Sequence, residues 1–146
     1  MKWFKHMTDM SDDVRIKRLR RRYGVEGYGL YNYIIERIVR RLEKDSPLPE
    51  LEEEAQDIAG ELNMDTVRVE EIIRYVVDQG LFAVDTVTGR LVAHKVYKFL
   101  EESTTRSKEL KQMIKNYKSS ISYDENLQMS RTVSDSLGLS GIVWAR

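Results

Sequence analysis

The 146-residue chain contains no cysteine, only two prolines and three phenylalanines, and nowhere does it approach the roughly 18 consecutive apolar residues that a membrane-crossing helix needs. Without thiols there is no disulfide framework, no thiolate zinc site and no cysteine nucleophile, which suits a reducing compartment. The start, Met1-Lys2-Trp3-Phe4-Lys5-His6, lacks an apolar run of signal-peptide length, so neither export nor a membrane partner is predicted and the cytoplasm is the expected location. Both prolines fall in Ser46-Pro47-Leu48-Pro49, where they break helix; no other proline interrupts the chain.

With 41% hydrophobic and 33% charged residues, the composition is that of a globular protein with a highly charged surface rather than a disordered chain. The length suits one domain. Net charge is zero, but the charges are segregated. Residues 1–44 carry 12 Lys and Arg against 6 Asp and Glu, residues 45–80 carry 2 against 11, and residues 81–146 carry 10 against 7. An acidic middle lies between two basic flanks.

Hydrophobic spacing gives the elements. Lys2 to His6 reads as an edge strand or extended arm. Ser11-Asp12-Asp13 offers a helix cap, and Ile16, Leu19 and Tyr23 follow at helical spacing up to Gly24. A second helix opens near Val25-Glu26, with Tyr31, Ile34, Ile35, Ile38 and Leu42 on one face. From Glu50, the residues Leu51, Ala55, Ile58, Ala59 and Leu62 predict a third helix with an acidic first turn. A short Asn63-Met64-Asp65 link leads to a fourth, with Val69, Ile72, Ile73 and Val76 inside and Gly80 as its stop, a helix-turn-helix arrangement. Leu81-Phe82-Ala83-Val84 and Leu91-Val92-Ala93 predict a hairpin around Asp85–Arg90. A last helix is expected from about Val96 to Tyr117, with Ser103-Thr104-Thr105 able to interrupt it.

These elements predict a mainly α (α+β) fold: a winged helix, or helix-turn-helix with a β-hairpin wing, plus an N-terminal edge strand and a C-terminal helix. The expected divisions are a winged-helix domain at 1–100, a basic helical extension at 101–118, and a polar tail at 119–146 whose apolar end, Leu137 to Trp144, docks on something.

The start of the chain, the Ile16, Leu19, Tyr23-Gly24 helix and the string Tyr23-Gly24-Val25-Glu26-Gly27-Tyr28-Gly29-Leu30-Tyr31 resemble the N-terminal domain of DnaD-like phage and prophage replication proteins, the replisome organisers. Asp78-Gln79-Gly80-Leu81-Phe82 before the hairpin fits the same pattern. The resemblance covers roughly residues 1–100. It implies a winged helix with a place in phage or prophage DNA replication, with DNA or a replication protein as partner.

The residues suggest how DNA would be met. In the run Arg15-Ile16-Lys17-Arg18-Leu19-Arg20-Arg21-Arg22, burying Ile16 and Leu19 leaves Arg15, Lys17, Arg18, Arg21 and Arg22 around the outer surface, suited to sequence-independent, salt-dependent phosphate contacts. The alternative is a solvated face neutralised by the acidic band. Lys108, Lys111, Lys115 and Lys118 form a second stripe beside Leu110, Ile114 and Tyr117, either for nucleic acid or to solubilise a helix that packs on the domain or on a second copy in a homodimer.

The fourth helix, where such folds read the major groove, offers Arg68 and Arg74 against Glu70, Glu71 and Asp78, and carboxylates repel phosphates. DNA contact therefore shifts to the first helix, to Arg90 and Lys95, and to the last helix. Otherwise the module binds a host or other protein through Glu52, Glu53, Glu70, Glu71 and Trp144.

No enzyme is predicted. Gly27-x-Gly29 lacks the third glycine and the preceding strand of a phosphate loop. His6, Asp9, Asp12 and Asp13 are metal-ligand types but read more simply as a strand end and helix-capping acids, so no metal or cofactor is expected. His94, placed in a strand, has no catalytic partner at a recognisable spacing.

Overall fold

Asp13 begins helix α1 (Val14–Arg41) as the capping pattern suggests: its carboxylate accepts from the Arg15 backbone N–H at 2.8 Å, satisfying an amide that the helix itself leaves unpaired. The structure, a computed structural model, describes residue 1, residues 4–42 and residues 48–128, with side chains as far as residue 120. Within α1, Gly24 has φ 65° and ψ −150°, a conformation essentially closed to residues with a Cβ. The chain kinks there, so the two expected helices meet end to end. Ile16, Leu19 and Tyr23 are buried before the kink, and Leu30, Tyr31, Ile34, Ile35 and Ile38 after it.

Gly27 matters for a different reason. A Cβ there would lie 2.8 Å from Tyr23 Cβ and 3.1 Å from Leu19 Cδ1, so the two halves of α1 touch at a point that only hydrogen fits. Gly29 meets nothing within 4 Å; the expected close packing holds for Gly27 alone.

Helix α2 (Ala55–Leu62) starts later than the acidic run suggests. Residues 49–51 instead run beside the hairpin: Leu51 N–H donates to Leu91 O at 2.8 Å and Ala93 N–H to Pro49 O at 2.9 Å. Pro49 lacks an N–H and disfavours helix at Leu48, which leaves this segment extended, and Leu51 goes into the core. A reciprocal capping box between Glu54 and Asp57 then opens α2, and Asn63 closes it in the left-handed region at φ 54°.

Helix α3 (Thr66–Asp78), capped by Asp65, buries Val69, Ile72, Ile73, Val76 and Val77. Strands β1 (Ala83–Val84) and β2 (Leu91–Val92) pair antiparallel with Ala83 opposite Val92 and Val84 opposite Leu91. The fold is mainly helical with this one small hairpin among the described residues.

Two expectations change. No N-terminal strand forms among the described residues: residues 4–7 run alongside a 3-10 helix, His94–Phe99, which presents no sheet edge, and the contact is one backbone bond, Lys5 N–H to Phe99 O at 2.9 Å. Lys2 and Trp3 lie outside the described residues. The helix expected from Val96 is also broken. After His94–Phe99 comes a second 3-10 turn, Glu102–Thr104, and only then α4 (Lys108–Gln128).

Hydroxyl groups explain the break. Thr104 Oγ1 donates to Glu101 O at 2.6 Å, Thr105 Oγ1 accepts from Ser107 N–H at 3.1 Å, and Ser107 Oγ caps α4 by accepting from Leu110 N–H at 3.2 Å. Leu110 and Ile114 are fully buried, and Tyr117 packs on Tyr97 with ring centroids 5.8 Å apart, so the apolar line of α4 docks on its own chain. Helix α4 carries on through the proposed boundary at 119; residues 129–146, including Trp144, lie outside the described residues. No helix among the described residues is long and apolar enough to cross a membrane.

The two glycines of the Tyr28 neighbourhood should respond oppositely to alanine. Gly27→Ala overpacks the contact with Tyr23 and lowers stability by about 1–3 kcal/mol. Gly29→Ala, helical and unobstructed, raises it by about 0.5–1 kcal/mol. Urea melts of the two variants check this; equal effects would contradict the close contact.

Candidate nucleic-acid interface

The last turn of a helix leaves carbonyl oxygens without intrahelical partners and carries the negative end of the helix dipole. Just beyond the end of α3, at Gln79 and Gly80, cations from two other segments gather near that negative end. Arg15 Nη1 donates to Gly80 O at 3.2 Å, Lys95 Nζ donates to the same oxygen at 3.3 Å, and Arg18 Nη1 donates to Gln79 Oε1 at 3.4 Å. One turn further along α1, the Arg22 guanidinium lies 5.0 Å from the Tyr75 ring and 5.6 Å from that of Tyr23, and the two rings meet edge to face at 5.3 Å. The first half of α1 thus runs antiparallel to α3. Arg22, Arg18, Arg15 and Lys95 form a strip along the seam, with Lys98 on the same 3-10 helix as Lys95.

A helix C-terminus is worth about 0.3–1 kcal/mol to a cation, equivalent to roughly half a charge, so it accounts for one of these cations and not for the group. Carboxylates do little to balance the rest. Asp13 bonds Arg15 at 3.2 Å; burial raises its carboxyl pKa, but hydrogen bonds and charge from Arg15 outweigh this and hold it below the usual range. Lys17, Arg18, Arg21 and Arg22 form no ion pair among the described residues. The crowding shows on Lys95, whose pKa falls to about 8, first through burial and then through the charges of Arg15 and Lys98, with Asp13 opposing.

Several acids of the band pair elsewhere. Glu53 pairs with Arg37 at 3.1 Å and Glu52 with Arg41 at 3.1 Å, both arginines in the second half of α1. Glu71 lies 3.7 Å from Arg68, and Glu70 lines a groove with Arg22 and Arg74. No ion pair among the described residues joins the basic run at 15–22 to residues 45–80, although Arg22 shares a groove with Glu70, Glu71 and Asp78.

The remaining candidates are scattered. Arg68 sits at the other end of the seam, 3.8 Å from Glu26 and stacked on Tyr23 at 5.1 Å. Arg90 on the hairpin is 3.6 Å from Glu50. Lys17 and Arg21 are exposed on other sides of α1, and Lys108, Lys111 and Lys115 belong to α4. The helix expected from Val96 contains Lys98 but leaves Lys95 outside it; the 3-10 helix begins at His94, and its three-residue spacing brings Lys95 and Lys98 to one side. His94 is exposed in that 3-10 helix rather than in a strand. Among the described residues no cluster of His, Asp or Glu is arranged to hold a metal ion, and Asp13 is committed to Arg15.

Because the Arg15 charge adds to burial in depressing Lys95, Arg15→Ala raises the Lys95 pKa above about 8 toward its ordinary value. Titration of the Lys95 side chain by NMR checks this, and an unchanged midpoint would leave burial as the sole cause.

A family model, Lin1244/Lin1753-like, N-terminal, matches residues 3–96, a span that holds α1 to β2 and every member of the cation strip except Lys98. No curated protein and no solved structure matches the chain. The match covers well over half of the sequence, and the chain belongs to the Lin1244/Lin1753-like, N-terminal family.

Proposed function

We propose that this chain is a non-enzymatic winged-helix domain of phage or prophage type that binds DNA in the cytoplasm during replisome assembly, and that it does so through backbone phosphates. The observation that carries the reading is the strip Arg22, Arg18, Arg15 and Lys95 along the end of α3, in which Arg15 is paired with Asp13 and the other three form no ion pair among the described residues. Phosphates would supply the missing negative charge, and the released counterions would drive binding without regard to sequence.

Two features support the winged-helix part. The element order is helix, short extended segment, helix, helix, hairpin, and residues 49–51 pair with β2 as a third strand of the wing would. The string resembling DnaD-like replication proteins has structural work in this fold: Gly24 makes the kink, Gly27 makes the close contact, Tyr28 lies under the Arg20 guanidinium at 5.8 Å, and Tyr31 stacks on Phe82 at 5.2 Å.

Contact through α3 itself has less support, because Glu70, Glu71 and Asp78 line its groove. A basic protein partner also has less support, since Glu52, Glu53 and Glu71 are each tied to an arginine of this chain.

Fluorescence anisotropy with labelled single-stranded and duplex DNA across a salt series tests the reading. The affinity falls with salt, and Arg18→Glu with Arg22→Glu makes the log–log salt slope shallower by about two. No binding by the parent protein at low salt would refute DNA as the partner.

Proton linkage gives a second test. Lys95 is half-protonated near pH 8 in the free protein, and a bound phosphate raises its pKa. Binding therefore takes up a proton and weakens as pH rises, by about tenfold between pH 7 and 9 if Lys95 stays charged in the complex. Lys95→Arg, always charged, retains binding and loses this dependence. A Lys95→Arg profile that follows the parent would show that Lys95 meets no phosphate.

A further inference from the structure

Beside the cation strip a cavity of about 350 Å³ opens between the Met10–Asp12 turn and the His94–Phe99 helix. It is within the range of small-ligand sites, about 300–1,000 Å³, and too small for a duplex. Its walls differ in charge. Arg15, Lys95 and Lys98 line it from α1 and the 94–99 helix, and Asp9 and Asp12 line it from the turn that precedes α1. Asp13, also at the rim, is committed to Arg15. The interior is apolar, with Tyr31 fixed in place by its stack on Phe82 at an interplanar angle of 21°. Burial and then the Asp13 charge raise the Tyr31 phenol to about 12, so it stays a neutral donor, and its hydroxyl makes no hydrogen bond among the described residues.

We propose that this cavity binds one unpaired nucleotide, a nucleoside monophosphate unit whose phosphate meets Arg15, Lys95 and Lys98 and whose base edge donates to Asp9 or Asp12. The chemistry is complementary at each wall. A phosphate satisfies clustered cations, a planar base suits the apolar interior, and the exocyclic amino group of cytosine, adenine or guanine is a donor that a carboxylate accepts. Inorganic phosphate uses the cationic wall alone, and a nucleoside uses the rest alone. Thymine lacks an exocyclic amino group and offers only an N3–H flanked by two carbonyl oxygens that a carboxylate repels, so it is the weakest base. The unit comes either from a free nucleotide or from the unpaired end of a DNA strand, and only the second source rests on the DNA-binding reading.

Calorimetric titration of the full chain at low salt with deoxycytidine monophosphate, thymidine monophosphate, deoxycytidine and inorganic phosphate tests the site. Deoxycytidine monophosphate binds at least about tenfold more tightly than the other three. Lys98→Glu weakens it by a similar factor, and Asp9→Asn with Asp12→Asn removes the preference for cytosine over thymine while binding persists. Equal binding of phosphate and nucleotide, or no nucleotide binding at about 1 mM, overturns the proposal.

A 5′-phosphorylated single-stranded oligonucleotide, titrated with and without deoxycytidine monophosphate, separates the sources. Competition identifies the strand end, and mononucleotide binding without oligonucleotide binding identifies the free nucleotide and counts against the DNA reading. Oligonucleotide binding in a protein that takes up no mononucleotide overturns the pocket and leaves the DNA reading intact.

Discussion

The kink at Gly24 decides what every other part of this molecule can touch. An unbroken helix over Val14–Arg41 would present one continuous stripe to one neighbour. With the backbone turned at φ 65°, Ile16, Leu19 and Tyr23 pack beside α3 while Leu30, Ile34, Ile35 and Ile38 fill the interior. Gly27 keeps the two halves in contact. The bend lays Arg15, Arg18 and Arg22 along α3 in antiparallel register, so the cations arrive at its carbonyl end and not at its N-terminus, where the dipole would repel them.

Stability and charge are divided between different residues. Each fully buried Leu or Ile contributes about 1.5–3 kcal/mol, whereas exposed ion pairs such as Arg68 with Glu26 contribute about 0–1 kcal/mol. The apolar stripes hold the fold, and the polar contacts mainly fix where charge accumulates. The acidic band is drawn to Arg37, Arg41 and Arg90, leaving the first half of α1 with charge to spare. Net neutrality of the whole chain conceals a local excess; at Lys95 burial lowers the pKa first, and the charges of Arg15 and Lys98 add to it.

Local physics made much of this legible from residues alone. Apolar spacing of three and four marks α1, α2 and α3, Asp13 and Asp65 cap where their side chains suggest, and Gly24 stops the first half of α1. What was misread depends on distant partners. Residues 49–51 look like an acidic helix start, but Pro49 disfavours helix before it and pairing with β2, some forty residues on, holds the segment extended. Val96, Tyr97, Phe99 and Leu100 fall in an expected helix but are too uniformly apolar to mark its bounds, so neither the start at His94, which joins Lys95 to Lys98, nor the stop at Phe99 is legible there. The meeting of Arg15 and Lys95 on Gly80 joins residues 65 and 15 positions away, beyond the reach of any local pattern.

The most direct test of the account is to map, residue by residue, where DNA touches the protein, using NMR shift changes on titrating a short oligonucleotide at low salt. The account predicts the largest changes at Arg15, Arg18, Arg22, Lys95 and Gly80, with the exposed side of α3 at Val67 and Glu71 little affected. Changes centred on Val67, Glu71 and Arg74, with the strip silent, would contradict it and return the contact to α3.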